Sequence, residues 1–523
     1  MVRNILLLLF LFCKLKSTAQ LNVSWQQVLD DSTGSEEFSD LLLRDTSGFI
    51  YSIGRVIPSG QTRTDVIIAK YDAQGAEIWR TIWAGPSGKN ESIKSATLDL
   101  NGDLVLCGEY FNVSNLNDIL VMKYSKSGQL QWLDTIDGTS QLYDQGNGVC
   151  IDDANNYYFT GYSLSGTYKA KLLKYSPAGQ QLWSTLIPST QQGLGVYYYQ
   201  KHLYLNCMTG VTGSPSHAML VKMDTAGQAV ASISISNFYS DLISEVLINQ
   251  DKLYLLDLQS LGASSGSHYG VVCVDTSLQL IWNRSYASGY LSDPIGLCSF
   301  DSMLYIAHTK YQTAGLTSPE VELRGIQRFT GDSLFISPLV QTAGVDYHAR
   351  AQVIDSIGTI TLLTDKSITP SISLQNYYLV RMNSMGVQIS SLVLPDTVGF
   401  GEVNMIQSDF NTLFVGASIY DSQGLNNSIS TWRLQTTPTG IQPLQSENPW
   451  VLAPVPAKDQ ISFMGLPAGK FNYVIYAVTG QVVQSGLLND NQRRVEISQE
   501  DGFYFIRLIQ GDVVLTRKFV VKD

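Results

Sequence analysis

Seven carboxylates recur along this chain at intervals of about fifty residues or a multiple of that distance. Each precedes an apolar run typical of a β-strand, so a repeating fold would bring all of them to one face. A ring of carboxylates could bind a cation or accept hydrogen bonds from sugar hydroxyl groups. Alternatively, each one caps backbone N–H groups of its own loop, and repetition with the period of the fold favours this structural role. The seven residues are Glu37, Glu91, Asp144, Asp241, Asp293, Asp346 and Glu402.

No other group of residues predicts a catalytic or metal site. The five histidines are dispersed, and residues 262–266 match Gly-x-Ser-x-Gly without the strand–turn–helix context of a nucleophile elbow. Residues 99–103 resemble the start of a calcium loop, but Tyr110 stands where the bidentate Glu would fall. We therefore predict no catalytic residue, no metal ligand and no cofactor, and leave open only a cation in a central channel.

An internal repeat supplies the elements that would position the seven acids. Its clearest copies begin at Lys70, Lys123 and Lys174, each with Lys-Tyr, then a Gly four residues after the Tyr, and a Trp four residues after the Gly. This pattern predicts a strand, a tight turn and a second strand, and another hairpin precedes it in every copy. Spacings of 48–55 residues are typical of four-stranded propeller blades, with strands A to D.

The two ends of the array complement each other. Residues 22–29 predict a D strand with nothing before it, whereas residues 402–435 supply A, B and C strands but no D strand. The N-terminal strand should therefore complete the last blade and close the ring, which removes the exposed sheet edge. We predict an all-β, eight-bladed β-propeller over residues 20–435, with seven blades as the alternative because the fourth to sixth copies are degenerate.

The order of the strands predicts which loops share a face. The A–B and C–D turns are short and lie together, so the B–C loops and the D–A crossings lie on the opposite face, here called the loop face. Long, variable loops on a rigid scaffold are where binding sites are usually built. The long B–C loops are residues 57–63, 211–216, 261–268, 311–322 and 420–427.

The first three copies resemble the SBBP type of bacterial propeller repeat. The matching features are an acid-containing crossing, an Asp/Asn-Gly turn, a Gly-ended strand and the Lys-Tyr to Trp segment, as in residues 70–79, 123–132 and 174–183. The other copies match mainly in spacing. The resemblance implies the fold but no single activity, because the family is defined by its architecture.

The ends of the chain predict export. Residues 1–19 have the charge, the short apolar run and the small residues of a signal peptide, and the run is too short to span a bilayer. Residues 436–448 form a linker, and the stretch 435–446 is uncharged and rich in Thr, Pro, Gly and Gln. Residues 449–523 predict a small Ig-like β-sandwich from alternating apolar and polar residues.

Four segments of this last module form a specific pattern, residues 453–459, 473–483, 502–507 and 517–522. Together they resemble the C-terminal sorting domain of the type IX secretion system of Bacteroidota, although Val455 replaces the usual Asn. The resemblance implies recognition by the secretion machinery and release or glycolipid anchoring at the cell surface, with an ordinary accessory domain as the alternative. The motif residues are Pro454, Pro456, Gly480, Gly502, Tyr504 and Lys518.

Composition limits the classes of partner. Because the signal contributes +3 and residues 449–523 contribute +1 to a total of −11, residues 20–448 carry −15, which argues against nucleic acid and anionic membranes. The five cysteines outside the signal lie in apolar strand runs, and we interpret them as small hydrophobic residues rather than disulfides or metal ligands. No later segment predicts a membrane span, and we expect a monomer.

We therefore predict an exported or surface-attached propeller that binds a glycan or a protein through its loop face, without catalysis of its own. A glycan lyase or hydrolase with a site at the central funnel is the alternative. It would need His, Arg, Tyr and carboxylate side chains converging on the axis, because such chemistry pairs an acid with a base. A structural spacer in a surface layer is the third possibility.

Overall fold

A computed structural model gives the fold of most of the chain. It describes residues 20–29, 35–112, 117–137, 143–210, 215–235, 238–262, 266–286, 289–313, 319–339, 345–368, 376–394, 403–409, 412–420, 427–437, 451–453, 458–464, 469–477, 482–489, 493–510 and 513–522. The predicted signal, residues 1–19, and nearly all of the predicted linker lie outside these ranges. The chain divides into two compact units, residues 1–438 and 439–523.

The first unit is built from strands, and its described residues contain no helix. The strands of this unit, in chain order, are β1 (Gln20–Leu29), β2 (Glu36–Arg44), β3 (Ile50–Ile57), β4 (Asp65–Tyr71), β5 (Glu77–Trp83), β6 (Glu91–Leu98), β7 (Leu104–Tyr110), β8 (Asp118–Tyr124), β9 (Leu130–Ile136), β10 (Gln145–Ile151), β11 (Tyr157–Ser165), β12 (Thr167–Tyr175), β13 (Gln181–Leu186), β14 (Gln192–Tyr199), β15 (His202–Thr209), β16 (His217–Asp224), β17 (Ala229–Ile235), β18 (Ser240–Asn249), β19 (Lys252–Ser260), β20 (Ser267–Asp275), β21 (Leu280–Tyr286), β22 (Leu291–Pro294), β23 (Cys298–Phe300), β24 (Met303–Tyr311), β25 (Glu320–Gln327), β26 (Ser333–Pro338), β27 (Val345–Ile354), β28 (Ile360–Ile368), β29 (Asn376–Met382), β30 (Gln388–Val393), β31 (Val403–Asp409), β32 (Thr412–Tyr420) and β33 (Asn427–Thr437).

These strands form a series of antiparallel sheets with a propeller-like order. The strands pair in sequence order within β2–β5, β6–β9, β10–β13, β14–β17 and β27–β30. In between, β18–β21 and β22–β26 are joined by a single parallel pair, Ser267 with Leu291, and β22 and β23 both pair with β24. The last sheet has the order β1-β33-β32-β31, so the N-terminal strand supplies its fourth strand.

The Trp of the repeat packs on the Gly of the following sheet. Trp79 in β5 lies against Gly128 in the β8–β9 turn, where a Cβ would come within 2.6 Å of the indole ring. The indole Nε1 also donates a hydrogen bond to the carbonyl of Lys126 at 3.1 Å. Gly128 has φ +85°, a left-handed conformation that favours glycine. The same arrangement joins Trp25 to Gly75, Trp132 to Gly179, Trp183 to Gly227 and Trp282 to Gly331.

The Lys of the repeat also contacts the following sheet. Lys70 is buried on β4, and its Nζ donates to the carbonyl of Lys126 at 3.0 Å. Lys174 and Lys222 make the equivalent bonds to the carbonyls of Thr225 and Thr276. The Lys-Tyr to Trp motif is therefore a set of contacts between neighbouring sheets, which explains its repetition without any ligand.

The last sheet packs against both the first sheet and the sheet before it. Trp25 of β1 donates to the carbonyl of Ala73 at 3.1 Å, and Arg433 of β33 donates to the same oxygen at 2.6 Å. Leu29 and Ile429 share an apolar core with Ile67 of β4. On the other side, buried residues of β32 and β33 share a core with residues of β28 and β29, among them Leu363, Leu379, Val415 and Trp432.

The first strand of most sheets carries a β-bulge at an equivalent position. The register shifts by one residue near the middle of the strand, at Asp40, Lys94, Asn147, Leu194, Ser244 and Arg350. A bulge increases the local twist and changes the direction of the side chains beside it. In the sheet of β24–β26 the first strand is interrupted at the corresponding position, since residues 295–297 separate β22 from β23.

The second unit consists of two small sheets that share one apolar core, which includes Ile461, Phe471, Ile475, Ile506 and Phe519. Its strands are β34 (Val451–Ala453), β35 (Gln460–Met464), β36 (Phe471–Ala477), β37 (Val482–Leu488), β38 (Arg494–Glu496), β39 (Gly502–Gln510) and β40 (Val513–Val521). The strand order is β34-β35-β38 in one sheet and β37-β36-β39-β40 in the other.

Candidate functional site

Four of the seven predicted acids are buried at the junctions between sheets. Glu37, Glu91, Asp144 and Asp241 are each at most 1% exposed. The backbone N–H of Glu91 donates to the carbonyl of Thr64, and Asp144 and Asp241 make the equivalent bonds to Asn117 and Ser216. Each of these three acids lies at or just before the first strand of its sheet, here called the inner strand. Its backbone N–H is therefore hydrogen-bonded to the residue before the third strand of the preceding sheet.

The buried carboxyl groups have different partners at different junctions. Glu37 accepts a hydrogen bond from the Ser35 hydroxyl at 2.5 Å, and Asp144 Oδ1 accepts one from the N–H of Leu164 at 2.9 Å. Asp241 Oδ2 lies 3.2 Å from Nδ1 of His217. Loop capping and ligand binding both stay predictions for these residues, and their burial leaves little access for a ligand as large as a sugar.

The remaining three acids differ from these four in position. Counted from the bulge, Asp293 stands one residue later than Glu37, and Ser292 occupies the equivalent place. Asp346 stands one residue earlier than Glu37, and Tyr347 occupies the equivalent place. Asp293 is exposed and Asp346 is half-buried. Glu402 lies outside the described residues.

Glu91 and Asp65 form a buried carboxyl pair at the first junction. Burial and then the neighbouring Asp65 carboxylate raise the pKa of Glu91 to about 8. Burial also raises the pKa of Asp65, and the Arg63 guanidinium, with Nε 3.3 Å from Oδ1, opposes that rise. At neutral pH the pair therefore holds a proton in the folded protein.

This pair predicts a loss of stability with rising pH. An unfolded Glu releases its proton near pH 4.5, while folded Glu91 keeps it up to about pH 8. The unfolded state therefore binds fewer protons in this window, and the free energy of unfolding falls as the pH rises through it. We expect Glu91→Gln to remove this decline and to gain about 2 kcal/mol over the wild type at pH 8.5. Urea denaturation at pH 5, 7 and 8.5 measures the effect.

Glu77→Gln is the matched control, because Glu77 is an exposed carboxylate on β5. It should leave the pH dependence unchanged. If the free energy of unfolding changes equally between pH 5 and pH 8.5 in the wild type and in Glu91→Gln, Glu91 is ionised over this whole range and the prediction is wrong.

The two accessible acids belong to a mixed cluster on the loop face, here called the β22–β28 cluster. Its carboxylates and basic groups surround Tyr311, the last residue of β24, whose ring centroid lies 6.1 Å from that of His348. Burial raises the pKa of Tyr311, and Asp293, Asp365 and Asp346 add to the rise while Arg350 opposes it. The cluster consists of Asp293, Tyr311, Asp346, His348, Arg350 and Asp365.

Asp365 holds the two basic residues of the cluster in place. It is buried on β28, and its Oδ1 lies 3.0 Å from Nδ1 of His348. Its Oδ2 accepts a hydrogen bond from Nε of Arg350 at 2.5 Å and also contacts Nη2. Arg350 is the bulge residue of β27, and both Arg350 and His348, two residues earlier, contact this one carboxylate.

Asp293 faces the basic residues of this cluster from the neighbouring sheet. Although its side chain is exposed, partial desolvation by the surrounding protein atoms raises the pKa of its carboxyl. Arg350, and to a smaller extent His348 and His308, oppose this rise in the pKa of Asp293. The cluster thus presents carboxylates, a guanidinium, an imidazole and a phenol within a small area, a set that can accept and donate hydrogen bonds and can transfer protons.

The sequence did not predict this cluster. The dispersed spacing of the histidines argued against a site, and the inner acids had no obvious basic partners. In the structure the basic partners come from β27, 55 and 57 residues after Asp293. The alternation Tyr347-His348-Ala349-Arg350 at the start of an inner strand was the available signal, because the other inner strands lack two basic residues so close together.

The inner strands also line a cavity of about 550 Å³. Its lining includes Ser95, Asn147, Gly148, Tyr197 and Val246, which come from β6, β10, β14 and β18. None of its described lining residues is charged, so this cavity does not present carboxylates to a cation. All five described cysteines are free thiols, and three of them are buried.

The secretion motif lies partly in the described chain. Gly502 begins β39 and pairs with Val521, and Lys518 lies on β40 opposite Phe505. The hydroxyl of Tyr504 donates to the carbonyl of Glu500 at 2.9 Å, and its ring lies 5.8 Å from that of Phe519. Pro454, Pro456 and Gly480 lie outside the described residues.

Residues 452–522 match the family model described as the secretion system C-terminal sorting domain. This module is a type IX secretion sorting domain. The sorting domain marks a protein that is secreted and attached to the cell surface, and it implies interaction with the secretion machinery. The described residues contain no helix that is long and apolar enough to cross a membrane.

Two further comparisons were made with the whole chain. Comparison with curated proteins found no match. Among solved structures, the chain is similar to the WD40 domain of SCAP from fission yeast, at 10% identity and TM-score 0.44 over 79% of this chain and 97% of that one. It is also similar to an ulvan lyase, at 9% identity and TM-score 0.43, over 71% of this chain and 98% of the lyase chain. A third similar structure is a europium-containing methanol dehydrogenase, at 8% identity and TM-score 0.45, over 79% of this chain and 93% of the dehydrogenase chain. Likeness at this level carries no information about activity.

Proposed function

We propose that this protein is a surface-attached, eight-bladed β-propeller that binds a glycan through its loop face. The observation that carries this proposal is the β22–β28 cluster, an accessible group of charged and hydrogen-bonding side chains at the ends of inner strands. We further propose that β1 closes the ring, that the repeats are of the SBBP type, and that the source is a Bacteroidota-like bacterium. The contacts of Trp25 and Arg433 with the first sheet support closure.

The charge of the cluster favours a neutral, hydroxyl-rich glycan over a polyuronate. Three carboxylates face one guanidinium and one imidazole, and residues 20–448 carry −15. A uronate would be repelled by this excess of negative charge. Sugar hydroxyl groups, in contrast, donate hydrogen bonds to carboxylates and accept them from Arg350 and Tyr311. A protein ligand is the alternative occupant of the same face.

A glycan array probed with the full mature chain tests the proposal. We expect retention of neutral glycans, and we expect Arg350→Gln to weaken binding by about tenfold or more, because a hydrogen bond to a charged group contributes about 1.5–3 kcal/mol. Lys94→Gln is the matched control, since Lys94 is the exposed bulge residue of β6, far along the sequence from the cluster. It should bind like the wild type.

The outcome also separates the alternatives. Retention of no glycan, with capture of a defined protein, would replace the glycan by a protein ligand. Retention of neither would favour a structural spacer. Equal binding by wild type and Arg350→Gln would place the site elsewhere on the loop face.

A second candidate function is glycan cleavage at the same cluster. His348 is oriented through Nδ1 by a buried carboxylate, with Tyr311 beside it, so an imidazole base and a phenol acid stand close together. Release of reducing ends from a retained glycan, lost in His348→Ala, would favour an enzyme. Binding without any release favours the binding protein.

A further inference from the structure

Three carboxylates meet at the second junction, between the sheets β6–β9 and β10–β13. Asp118 begins β8, Asp137 follows β9 and Asp144 precedes β10, so all three lie at strand ends on the loop face. One oxygen from each lies within 4.8 Å of the others. A point therefore exists no farther than about 2.8 Å from all three oxygens, close to the 2.3–2.6 Å of calcium–oxygen bonds.

Asp118 provides an independent indication of a missing partner. Its side chain is only 3% exposed and its carboxylate faces Asp137 and Asp144. Oδ2 accepts a hydrogen bond from the Asn112 amide at 3.1 Å, whereas the buried Oδ1 has no hydrogen-bond partner. A buried carboxylate oxygen without a donor or a cation is costly, and native structures usually provide one.

Two other junctions place a basic group at or beside the position of Asp118. At the first junction Arg63 lies beside Asp65, the residue equivalent to Asp118. At the fourth junction the equivalent residue is His217, which faces Asp241. At the second junction a third carboxylate, Asp137, stands beside the pair instead. Lys171 interacts electrostatically with Asp144 and Asp137.

We propose that Asp118, Asp137 and Asp144 bind a divalent cation of the hard, oxygen-preferring class, Ca²⁺ rather than a transition metal. Three carboxylates and no described His or Cys among the ligand atoms match the preference of Ca²⁺. The cation joins β8 and β9 to the following sheet, so it stabilises the junction. This site is separate from the β22–β28 cluster, and its test does not depend on the proposed glycan.

Calorimetric titration of the EDTA-treated full chain with CaCl₂ tests the site. We expect a dissociation constant of about 0.1–1 mM, the range of extracellular calcium modules. By mass action, saturating Ca²⁺ should also raise the midpoint of thermal unfolding. Asp137→Asn should weaken binding at least tenfold and abolish the midpoint shift. Since Asp137 is exposed, this variant should still fold.

Asp153→Asn is the matched control, because Asp153 is an exposed carboxylate between β10 and β11. This variant removes the same charge and should bind Ca²⁺ with the affinity of the wild type. Asp118→Asn should also lose binding, and if it fails to fold, Asp137→Asn decides the result. The proposal is overturned if wild type shows neither heat nor a midpoint shift up to about 10 mM CaCl₂, a concentration well above the expected range. It is equally overturned if Asp137→Asn retains wild-type affinity.

Discussion

Replacing Trp25 with Ala should lower the free energy of unfolding by about 3–5 kcal/mol, the usual cost of truncating a packed aromatic side chain. Trp25 lies on β1 but packs against Gly75 of the first sheet, and its ring is 6.4 Å from Tyr71 and 6.1 Å from Phe414. Its indole N–H is also bonded to the carbonyl of Ala73. The truncation therefore weakens the contact between the last sheet and the first.

Urea denaturation of the full chain, followed by circular dichroism, measures this change. Val28→Ala is the matched control, because Val28 lies on the same strand and is 47% exposed. It should cost less than about 0.5 kcal/mol, as surface substitutions usually do. If both variants lose the same amount, or neither loses any, β1 does not hold the two sheets together.

Gly108→Ala should lower the free energy of unfolding by about 3 kcal/mol or more, because the added methyl group meets the backbone of the neighbouring strand. A Cβ on Gly108 would lie 2.0 Å from the carbonyl oxygen of Ser92 and 2.9 Å from Cα of Ile93. Both atoms belong to the backbone of β6 beside its bulge, so a rotamer change cannot relieve the clash. The strand would have to move, and the buried core shared with β3 and β4 would move with it.

Gly416→Ala is the control with the same position in the repeat. Gly416 also ends an apolar run on a second strand, but among the described atoms the nearest to its Cβ would be Ser39 Oγ at 3.4 Å. We expect a change near zero or a gain of about 0.5 kcal/mol, because alanine restricts the unfolded chain more than glycine does. If both substitutions lower the free energy of unfolding by the same amount, the close approach beside the bulge is not the reason for the glycine at position 108. Urea midpoints of both variants give the comparison.

These two glycines show how far a sequence pattern reaches. Gly54, Gly108, Gly161 and Gly416 share one place in the repeat, and the pattern alone treats them as equivalent. The structure separates them, because at the first three positions a Cβ would come within 2.0 Å of a backbone carbonyl. The bulge that causes the close approach is a property of the paired strands, so no single strand reveals it.

The Lys-Tyr to Trp motif was more informative. Its residues are close in sequence and form one hairpin, so the pattern predicted the turn and both strands. It also predicted that each unit repeats, since the spacing is regular. The pattern did not predict that Trp79 packs on Gly128 and that Lys70 and Trp79 share the carbonyl of Lys126, because those contacts join residues about fifty positions apart.

The seven acids show a similar limit. Their spacing placed them at the starts of inner strands, but only the structure distinguishes buried Glu91 and Asp241 from exposed Asp293. The difference arises from neighbouring sheets. Asp65 of the preceding sheet lies beside Glu91, and His217 of the preceding sheet lies beside Asp241. Asp293, in contrast, borders the open cluster around Tyr311.

The amino-acid sequence alone determined the all-β class, the four-stranded repeat, the separate C-terminal module and the secretion address. These properties follow from local periodicity, turn residues and short motifs, which act within one hairpin or one module. Only the tertiary structure decided which carboxylates meet a basic partner, which meet another carboxylate and which remain accessible. Those outcomes depend on the packing of neighbouring sheets, where residues about fifty positions apart come within a few ångströms and burial sets the strength of their charges.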